Sequence, residues 1–152
     1  MTLNELKKSA LQLLARREYS TQQLMQRLQS KAADDQLVQQ VISWCQAENY
    51  QSDVRFVDML LRSRLGKGYG PLYIQQECRR HGVDTALLQQ QLTLLEPDWL
   101  ALAQSVYLKK YAGSAITSAN ERARRLRYLQ QRGFYPEDCS AALKTTEVRK
   151  SS

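Results

Sequence analysis

Leucine recurs along this chain at steps of three and four residues, and this spacing restricts the possible folds more than any other feature. Side chains at such steps share one face of a helix and form an apolar stripe. The sequence holds 23 leucines against ten valines and isoleucines together, so residues that favour helices far outnumber those that favour strands. We therefore predict an all-α protein.

Helix boundaries are marked by residues that cap or interrupt a helix. Serine and aspartate cap an N-terminus through a side-chain oxygen, proline is tolerated in the first turn, and glycine or asparagine accepts the left-handed backbone that often ends a helix. The nine predicted helices begin near residues 3, 20, 34, 53, 71, 84, 97, 118 and 136, with Pro71, Pro97 and Pro136 opening three of them. In the first helix, the predicted apolar stripe is Leu3, Leu6, Leu11 and Leu14.

The junctions between helices repeat along the chain. In three of them an apolar residue is followed, four positions later, by a helix-ending residue: Cys45 with Asn49, Cys78 with Gly82, and Leu129 with Gly133. A second set aligns Ser20, Leu24 and Leu28 with Gly70, Ile74 and Cys78, and more loosely with Ser118, Arg122 and Leu126. Tandem copies of such a unit stack because each buries only part of its apolar face alone. We predict three three-helix repeats, at 1–50, 51–96 and 97–147, stacked into an elongated, curved body and followed by a frayed tail at 148–152.

The formal net charge of +7 lies in two blocks. Residues 62–81 carry five Lys or Arg and one acid, and residues 109–132 carry seven and one. The intervening residues 82–108 carry three acids and no Lys or Arg. Concentrated positive charge raises the local potential and speeds encounter with a polyanion, so the two blocks predict a surface that faces phosphates or an acidic partner.

The basic segment at 118–132 is the strongest functional signal. At 100° per residue, Ala119, Ala123, Leu126 and Leu129 fall on one side of a helix, and most of the arginines fall with Tyr128 on the other. Solvated helix faces normally mix both signs of charge, but Glu121 is the only acid here, so we predict a contact surface. For Lys109 and Lys110, neutralising the dipole at the end of their own helix is an equal alternative. The candidate binding residues are Arg62, Arg64, Lys67, Tyr69, Arg79, Arg80, Lys109, Lys110, Arg124, Arg125, Arg127 and Arg132.

Sequence patterns of catalysis and metal binding are missing. Cys45, Cys78 and Cys139 are odd in number, widely spaced and at apolar helical positions, so we predict buried thiols rather than a disulfide or a zinc site. His81, the single histidine, is assigned to a helix end. We predict that the protein is not an enzyme and has no catalytic residues, metal or cofactor.

The run Gly66-Lys67-Gly68-Tyr69-Gly70-Pro71 invites comparison with a phosphate-binding loop. Its spacing matches neither of the two common glycine-rich patterns, it follows a predicted helix rather than a strand, and its proline lacks an amide donor. We predict a tight turn between two helices with Lys67 and Tyr69 exposed, where the tyrosine could stack on a base or pack on a partner.

Four stretches of this sequence carry a family resemblance. They are Ser52-Asp53-Val54-Arg55-Phe56, the run Lys67-Gly68-Tyr69-Gly70-Pro71 followed by Ile74, Gly82-Val83, and Arg132-Gly133-Phe134. Together they resemble the RecX family, bacterial regulators of the RecA recombinase. The resemblance covers nearly the whole chain and is strongest across 44–92. Asn49 stands where the family usually has glycine, and the polar tail has no family pattern.

The resemblance implies a protein that lodges in the deep groove of the RecA filament on DNA. It implies inhibition of strand exchange, of ATP hydrolysis and of the coprotease function that triggers the SOS response, and action as a monomer. A curved stack of helices with basic patches is consistent with such a helical, phosphate-rich host. We expect the acidic stretch 82–108 to fix the polarity of binding.

Two alternatives remain. The first is a helical DNA-binding protein of low sequence specificity, since the segment at 118–132 offers arginines but few side chains that read base edges. Weak direct binding to DNA is expected in either case. The second alternative is a small enzyme with a buried thiol. No secretory signal and no apolar run of about 20 residues is visible, so we expect a cytoplasmic protein that does not bind membranes.

Overall fold

The computed structural model describes residues 1–31 and 34–147. All regular secondary structure in these two ranges is helical, which confirms the predicted all-α class. The predicted frayed tail at 148–152 lies outside the described residues. The helices of the described chain are α1 (Leu3–Arg16), α2 (Thr21–Gln29), α3 (Asp35–Ala47), α4 (Asp53–Gly66), α5 (Pro71–Arg80), α6 (Thr85–Leu95), α7 (Trp99–Tyr111), α8 (Ala119–Gln131) and α9 (Pro136–Leu143).

Side-chain caps begin helices close to the predicted positions. The Ser20 hydroxyl accepts a hydrogen bond from the Gln23 amide, and Gln23 Oε1 accepts one from the Ser20 amide, each at 3.1 Å, which closes a capping box on α2. The predicted start of α7 at Pro97 is wrong. Asp98 is the cap instead, because its carboxylate accepts the Ala101 amide at 3.0 Å.

The chain forms two compact units. The first comprises Met1–Leu60 and Glu77–Leu94, and the second comprises Leu61–Gln76 and the chain from Leu95 onward. Helices α4 and α5 therefore each contribute residues to both units. The repeat boundaries at 1–50, 51–96 and 97–147 stay a prediction.

The first unit has a core built mainly from α1, α2 and α3. On α1 the predicted stripe is right at Leu6 but wrong at Leu11, which is exposed while Ala10 and Leu13 are buried. A step of five residues turns a helix by about 140° from its starting face, whereas steps of four and seven return to it. The buried apolar residues of this core are Leu6, Ala10, Leu13, Tyr19, Leu24, Leu28, Val38, Val41, Ile42 and Cys45.

The second unit has a core built from α7, α8 and α9 and the turn that follows α8. Partly buried aromatic residues, among them Trp99, Tyr111 and Tyr128, pack against it. Burying each large apolar side chain contributes about 1.5–3 kcal/mol to folding. The buried apolar residues here are Ala103, Tyr107, Leu129, Phe134, Cys139, Ala142 and Leu143.

The turn before α5, at Gly70, contacts the turn after α8, at Gly133, in the second unit. The Gly70 amide donates to the Arg132 carbonyl at 2.7 Å, and the Leu72 amide donates to the Gly133 carbonyl at 2.9 Å. A Cβ on Gly70 would lie 2.5 Å from the carbonyl carbon of Gly133, so only glycine permits this backbone approach. We name this contact the glycine joint.

The equivalent positions of the sequence repeat are in contact in the first unit. The Ser20 hydroxyl donates to the His81 carbonyl at 3.0 Å, and Gln23 Nε2 lies 3.2 Å from His81 Nδ1. Ser20 aligns with Gly70 in the sequence repeat, and His81 precedes Gly82 as Arg132 precedes Gly133. We name this contact the serine joint. It confirms that His81 lies at a helix end, directly after α5.

The turn between α4 and α5 is an interhelical turn, as predicted. The amides of residues 67–70 all donate to protein carbonyls, those of Ser63, Arg64, Leu65 and Arg132. They are therefore occupied and cannot cradle a phosphate. Among the helices that the structure describes, none combines the length and the apolar character that crossing a bilayer requires.

Candidate functional site

A basic cavity opens in the second unit between the turn that follows α4, helix α7 and helix α8. Its volume is about 490 Å³, and its basic lining residues are Lys67, Lys109, Lys110 and Arg132. Lys67 is carried on the turn after α4, Lys109 and Lys110 lie in the last turn of α7, and Arg132 follows α8. Side chains from both positive blocks of the sequence therefore line one cavity.

A second concavity of about 380 Å³ shares two of its lining residues with the first, Lys110 and Tyr128. It adds two exposed arginines of α8, Arg124 and Arg127. The two cavities therefore adjoin. We define the basic surface as Lys67, Lys109, Lys110, Arg124 and Arg127.

The basic surface lacks neutralising acids. No aspartate or glutamate lines either cavity. Within residues 1–31 and 34–147, none of the five cations of the basic surface forms a salt bridge. Like charges so placed repel one another, and binding of a polyanion relieves that repulsion.

Two tyrosines, Tyr111 and Tyr128, pack beside the cations of the basic surface. Tyr128 packs edge to face on Tyr111, with 5.9 Å between ring centroids, and Lys110 Nζ lies 5.4 Å from the Tyr128 centroid. Tyr128 is not among the binding residues predicted from the sequence. Its position four residues after Arg124 and four before Arg132, on one helical face, is a signal that could have identified it.

Arg132 is partly buried and is held by the turn rather than presented to solvent. Its Nε donates to the Gly68 carbonyl at 2.9 Å, and Nη2 donates to the Lys67 carbonyl. Its guanidinium carbon also lies 4.4 Å from the ring centroid of Tyr69. Tyr69 stacks on Tyr73 at 4.1 Å, so the prediction of an exposed Tyr69 is wrong: the ring is engaged by two neighbours.

Arg125 corrects the predicted outward face of α8, because its side chain is only 2% exposed. Its guanidinium donates to the Tyr107 hydroxyl at 2.7 Å, to the Ser114 carbonyl at 2.8 Å and to Glu121 Oε1 at 2.5 Å. Burial alone would lower the pKa of Arg125, but the hydrogen bonds with Tyr107 and Glu121 outweigh it and raise the pKa. Arg125 therefore ties α8 to α7 and to the connection between them.

The predicted orientation of α8 is wrong on this face for a physical reason. Ala119 and Ala123, which it placed inside, are exposed, whereas Leu126 is partly buried and Leu129 fully buried as predicted. Alanines bury little area and so set the orientation weakly. The carbonyl and hydroxyl acceptors that make burial of Arg125 favourable come from other segments of the chain.

The remaining predicted residues fall into two places. Arg62 and Arg64 lie on the part of α4 that belongs to the second unit, where Arg64 Nη1 donates to Ser63 Oγ at 3.1 Å. Arg79 and Arg80 are exposed at the end of α5, in the first unit. The structure does not bring these four residues into the cavities of the basic surface, and their role in binding stays a prediction.

The thiols are buried, as predicted. Cys45, Cys78 and Cys139 each have 0% exposure. Burial raises the pKa of Cys78 and of Cys139 to about 11, with Glu77 and Asp138 adding to the effect, and it raises that of Cys45. Protonated, buried thiols are poor nucleophiles. The part of the chain that the structure describes contains no group of three His, Cys, Asp or Glu that could hold a metal ion.

Three family models match successive parts of this chain. They are described as "RecX, first three-helix domain" over residues 7–45, "RecX, second three-helix domain" over 52–92, and "RecX, third three-helix domain" over 96–143. The family thus has three three-helix domains in tandem, the architecture that the repeated junctions predicted.

Curated relatives match over most of their length. One named "Regulatory protein RecX" from Legionella pneumophila (strain Corby) is 39% identical over 143 residues, which cover 94% of this chain and 94% of the relative. A protein of the same name from Acinetobacter baylyi is 36% identical over 130 residues, covering 86% and 80%.

Solved structures share the fold. A crystal structure of RecX from Lactobacillus salivarius matches with a TM-score of 0.77 at 14% identity, covering 93% of this chain and 94% of the other. A crystal structure of a regulatory protein RecX matches with a TM-score of 0.79 at 16% identity, covering 93% and 71%.

Proposed function

The chain belongs to the RecX family, and from this we propose that it regulates the RecA recombinase by binding the RecA filament on DNA. Bound there, it suppresses strand exchange, ATP hydrolysis and the coprotease activity that triggers the SOS response. It acts by binding rather than by catalysis, and as a monomer. The observation that carries this proposal is the match of all three RecX domains along one chain.

The basic surface supports the proposal on physical grounds. A filament assembled on DNA presents phosphates, and five cations without partner carboxylates offer a complementary potential. Two of the five, Arg124 and Arg127, are on α8. The orientation of this helix is fixed by the hydrogen bonds that buried Arg125 donates to Tyr107 and Ser114. These two arginines are thus held on a helix of defined orientation.

The test is an ATPase assay of recombinase on single-stranded DNA, with this protein titrated in below one copy per recombinase. A regulator of the filament lowers the rate of hydrolysis at such ratios. Full retention of the hydrolysis rate at equimolar protein contradicts the proposal.

A second function, direct low-specificity binding to DNA, is favoured by one observation. Tyr128 lines both cavities of the basic surface, and an aromatic ring among cations suits the bases and phosphates of a single strand. Fluorescence anisotropy of a labelled strand separates the two functions. A filament regulator binds the recombinase-coated strand much more tightly than the bare strand at the same salt concentration, whereas a direct binder prefers the bare strand.

A further inference from the structure

A separate polar concavity lies in the first unit, in a part of the sequence whose charges cancel. Its volume is about 420 Å³, and it is lined by Arg17, Tyr19, Gln23, Gln26, Arg27 and Ser30. Residues 1–61 hold seven Lys or Arg and seven Asp or Glu, so a charge count along the chain gives no sign of it. The folded chain nevertheless leaves acids out of the lining.

Two arginines converge on one tyrosine in this concavity. Arg17 directly follows α1, and its guanidinium carbon lies 4.3 Å from the ring centroid of Tyr19. Arg27, on α2, lines the same concavity. The guanidinium groups of Arg17 and, less strongly, of Arg27 lower the pKa of Tyr19, although burial opposes this effect. Arg17, Tyr19 and Arg27 therefore line one concavity, with the Arg17 guanidinium against the Tyr19 ring.

The Tyr19 ring fixes this arrangement because it is buried in the first core with only 3% exposure. Arg17 and Arg27 are exposed at the surface. Across the ranges that the structure describes, neither arginine forms a salt bridge with an aspartate or glutamate. Two adjacent cations without a counter-charge are unfavourable, and an anion between them removes that cost.

We propose that Arg17, Arg27 and Tyr19 form a phosphate-binding site. A single guanidinium already satisfies a planar carboxylate through two parallel hydrogen bonds. Two guanidinium groups, one from the residue after α1 and one from α2, together with a phenol that keeps its own proton to donate, suit the several oxygens of a tetrahedral anion. The site belongs to the first unit and does not depend on the function proposed for the basic surface.

The test is an NMR titration of the full chain with inorganic phosphate at constant ionic strength, following the arginine Nε–H signals. The signals of Arg17 and Arg27 should shift saturably. Arg17→Gln and Arg27→Gln should each weaken phosphate binding roughly tenfold or more, since each removes a charge-assisted contact. Tyr19→Phe keeps the buried ring and removes only the hydroxyl, so it should weaken binding by less. Arg16→Gln is the matched control, because Arg16 is exposed, adjacent in sequence and outside the lining.

Two further titrations identify the source of the phosphate. A nucleoside 5′-monophosphate supplies a phosphate monoester, and a short oligothymidine without a terminal phosphate supplies only diesters. Saturable shifts with either ligand support the site and identify the source of the phosphate. Shifts with inorganic phosphate alone identify the free anion as the ligand. The absence of saturable shifts in the unaltered chain, or undiminished phosphate binding in the Arg17→Gln/Arg27→Gln double variant, overturns the proposal.

Discussion

The serine joint and the glycine joint use the same positions of the repeat but hold them by different means. In the first unit, a side-chain hydroxyl of Ser20 reaches the His81 carbonyl at 3.0 Å. In the second unit, the backbone amide of Gly70 reaches the Arg132 carbonyl at 2.7 Å. At Ser20 the side chain separates the two backbone segments, and its hydroxyl bridges the gap to the His81 carbonyl. At Gly70 there is no side chain, so the two backbone segments are in direct contact.

The residue whose carbonyl accepts the hydrogen bond differs as well, and with it the chemistry around the joint. His81 lies against Phe56, with 5.7 Å between ring centroids, and beside Gln23. Arg132 instead closes the turn at Lys67 and Gly68 and contacts the ring of Tyr69. The contacts of the first joint involve no lysine or arginine, whereas the second adds the Arg132 cation at the edge of the basic surface. Equivalent positions of the repeat thus carry different contacts, and in the second unit the joint borders the basic surface.

The largest effect should come from exchanging the two joint residues. Gly70→Ser places a Cβ where backbone atoms of Gly133 and Phe134 lie within 2.6 Å, so it should destabilise the second unit by about 3 kcal/mol or more. Ser20→Gly loses one hydrogen bond and a helix cap and should cost the first unit about 1 kcal/mol. Urea unfolding measures both. Trp44 and Trp99 report the first and second units, each in a background where the other tryptophan is phenylalanine. Equal losses in the two units contradict the distinction between the joints.

Arg125 and Arg124 provide a matched pair on α8. Arg125→Met leaves the Tyr107 hydroxyl and the Ser114 carbonyl without their buried donor, and should lower the unfolding free energy of the second unit by about 2–4 kcal/mol. Arg124→Met alters an exposed side chain and should change it by less than about 0.5 kcal/mol. The Trp99 urea transition measures both values. A loss of the same size in both variants contradicts the structural role of Arg125.

Protonation of Glu121 should make the unfolding free energy of the second unit weakly dependent on pH. Hydrogen bonds from the Thr117 hydroxyl and amide, and then from Arg125, lower its pKa from 4.5 to about 2. The stabilisation from the carboxylate is therefore fully present above pH 4.5 and is lost as the pH falls toward 2. The unfolding free energy of the unaltered second unit should fall more steeply over this range than that of Glu121→Gln. Parallel curves for the two proteins would argue against the effect, and the Trp44 transition of the first unit serves as the control.

Much of the fold could be predicted because its determinants are local. Caps such as Ser20 and the apolar spacing of the helices depend on neighbours within one or two turns. The register of α8 could not be predicted this way, because the partners that bury Arg125 lie at Tyr107 and Ser114 in other segments. The repeat alignment paired Ser20 with Gly70 correctly but carried no information on which carbonyl each would meet.

The candidate site shows the same division. The charge blocks of the sequence include residues that the structure places around one cavity, among them Lys67 and Lys109, and their role in binding stays a prediction. Charge counts do not distinguish an arginine that faces solvent from one whose donors are used internally, so Arg125 and Arg132 were selected with the others. The pairing of Arg17 with Arg27 was missed because acids elsewhere in the same segment cancel their charge.

The most direct test of the account is inhibition of recombinase ATPase on single-stranded DNA by two charge-reversed variants. Arg124→Glu/Arg127→Glu alters the basic surface, and Lys8→Glu/Arg16→Glu makes the same change in net charge at exposed positions of α1. We expect the first variant to need roughly tenfold more protein for half-maximal inhibition, and the second to match the unaltered chain. Circular dichroism should show equal helix content in all three. Undiminished inhibition by the folded Arg124→Glu/Arg127→Glu variant would contradict the assignment of the basic surface as the contact with the filament.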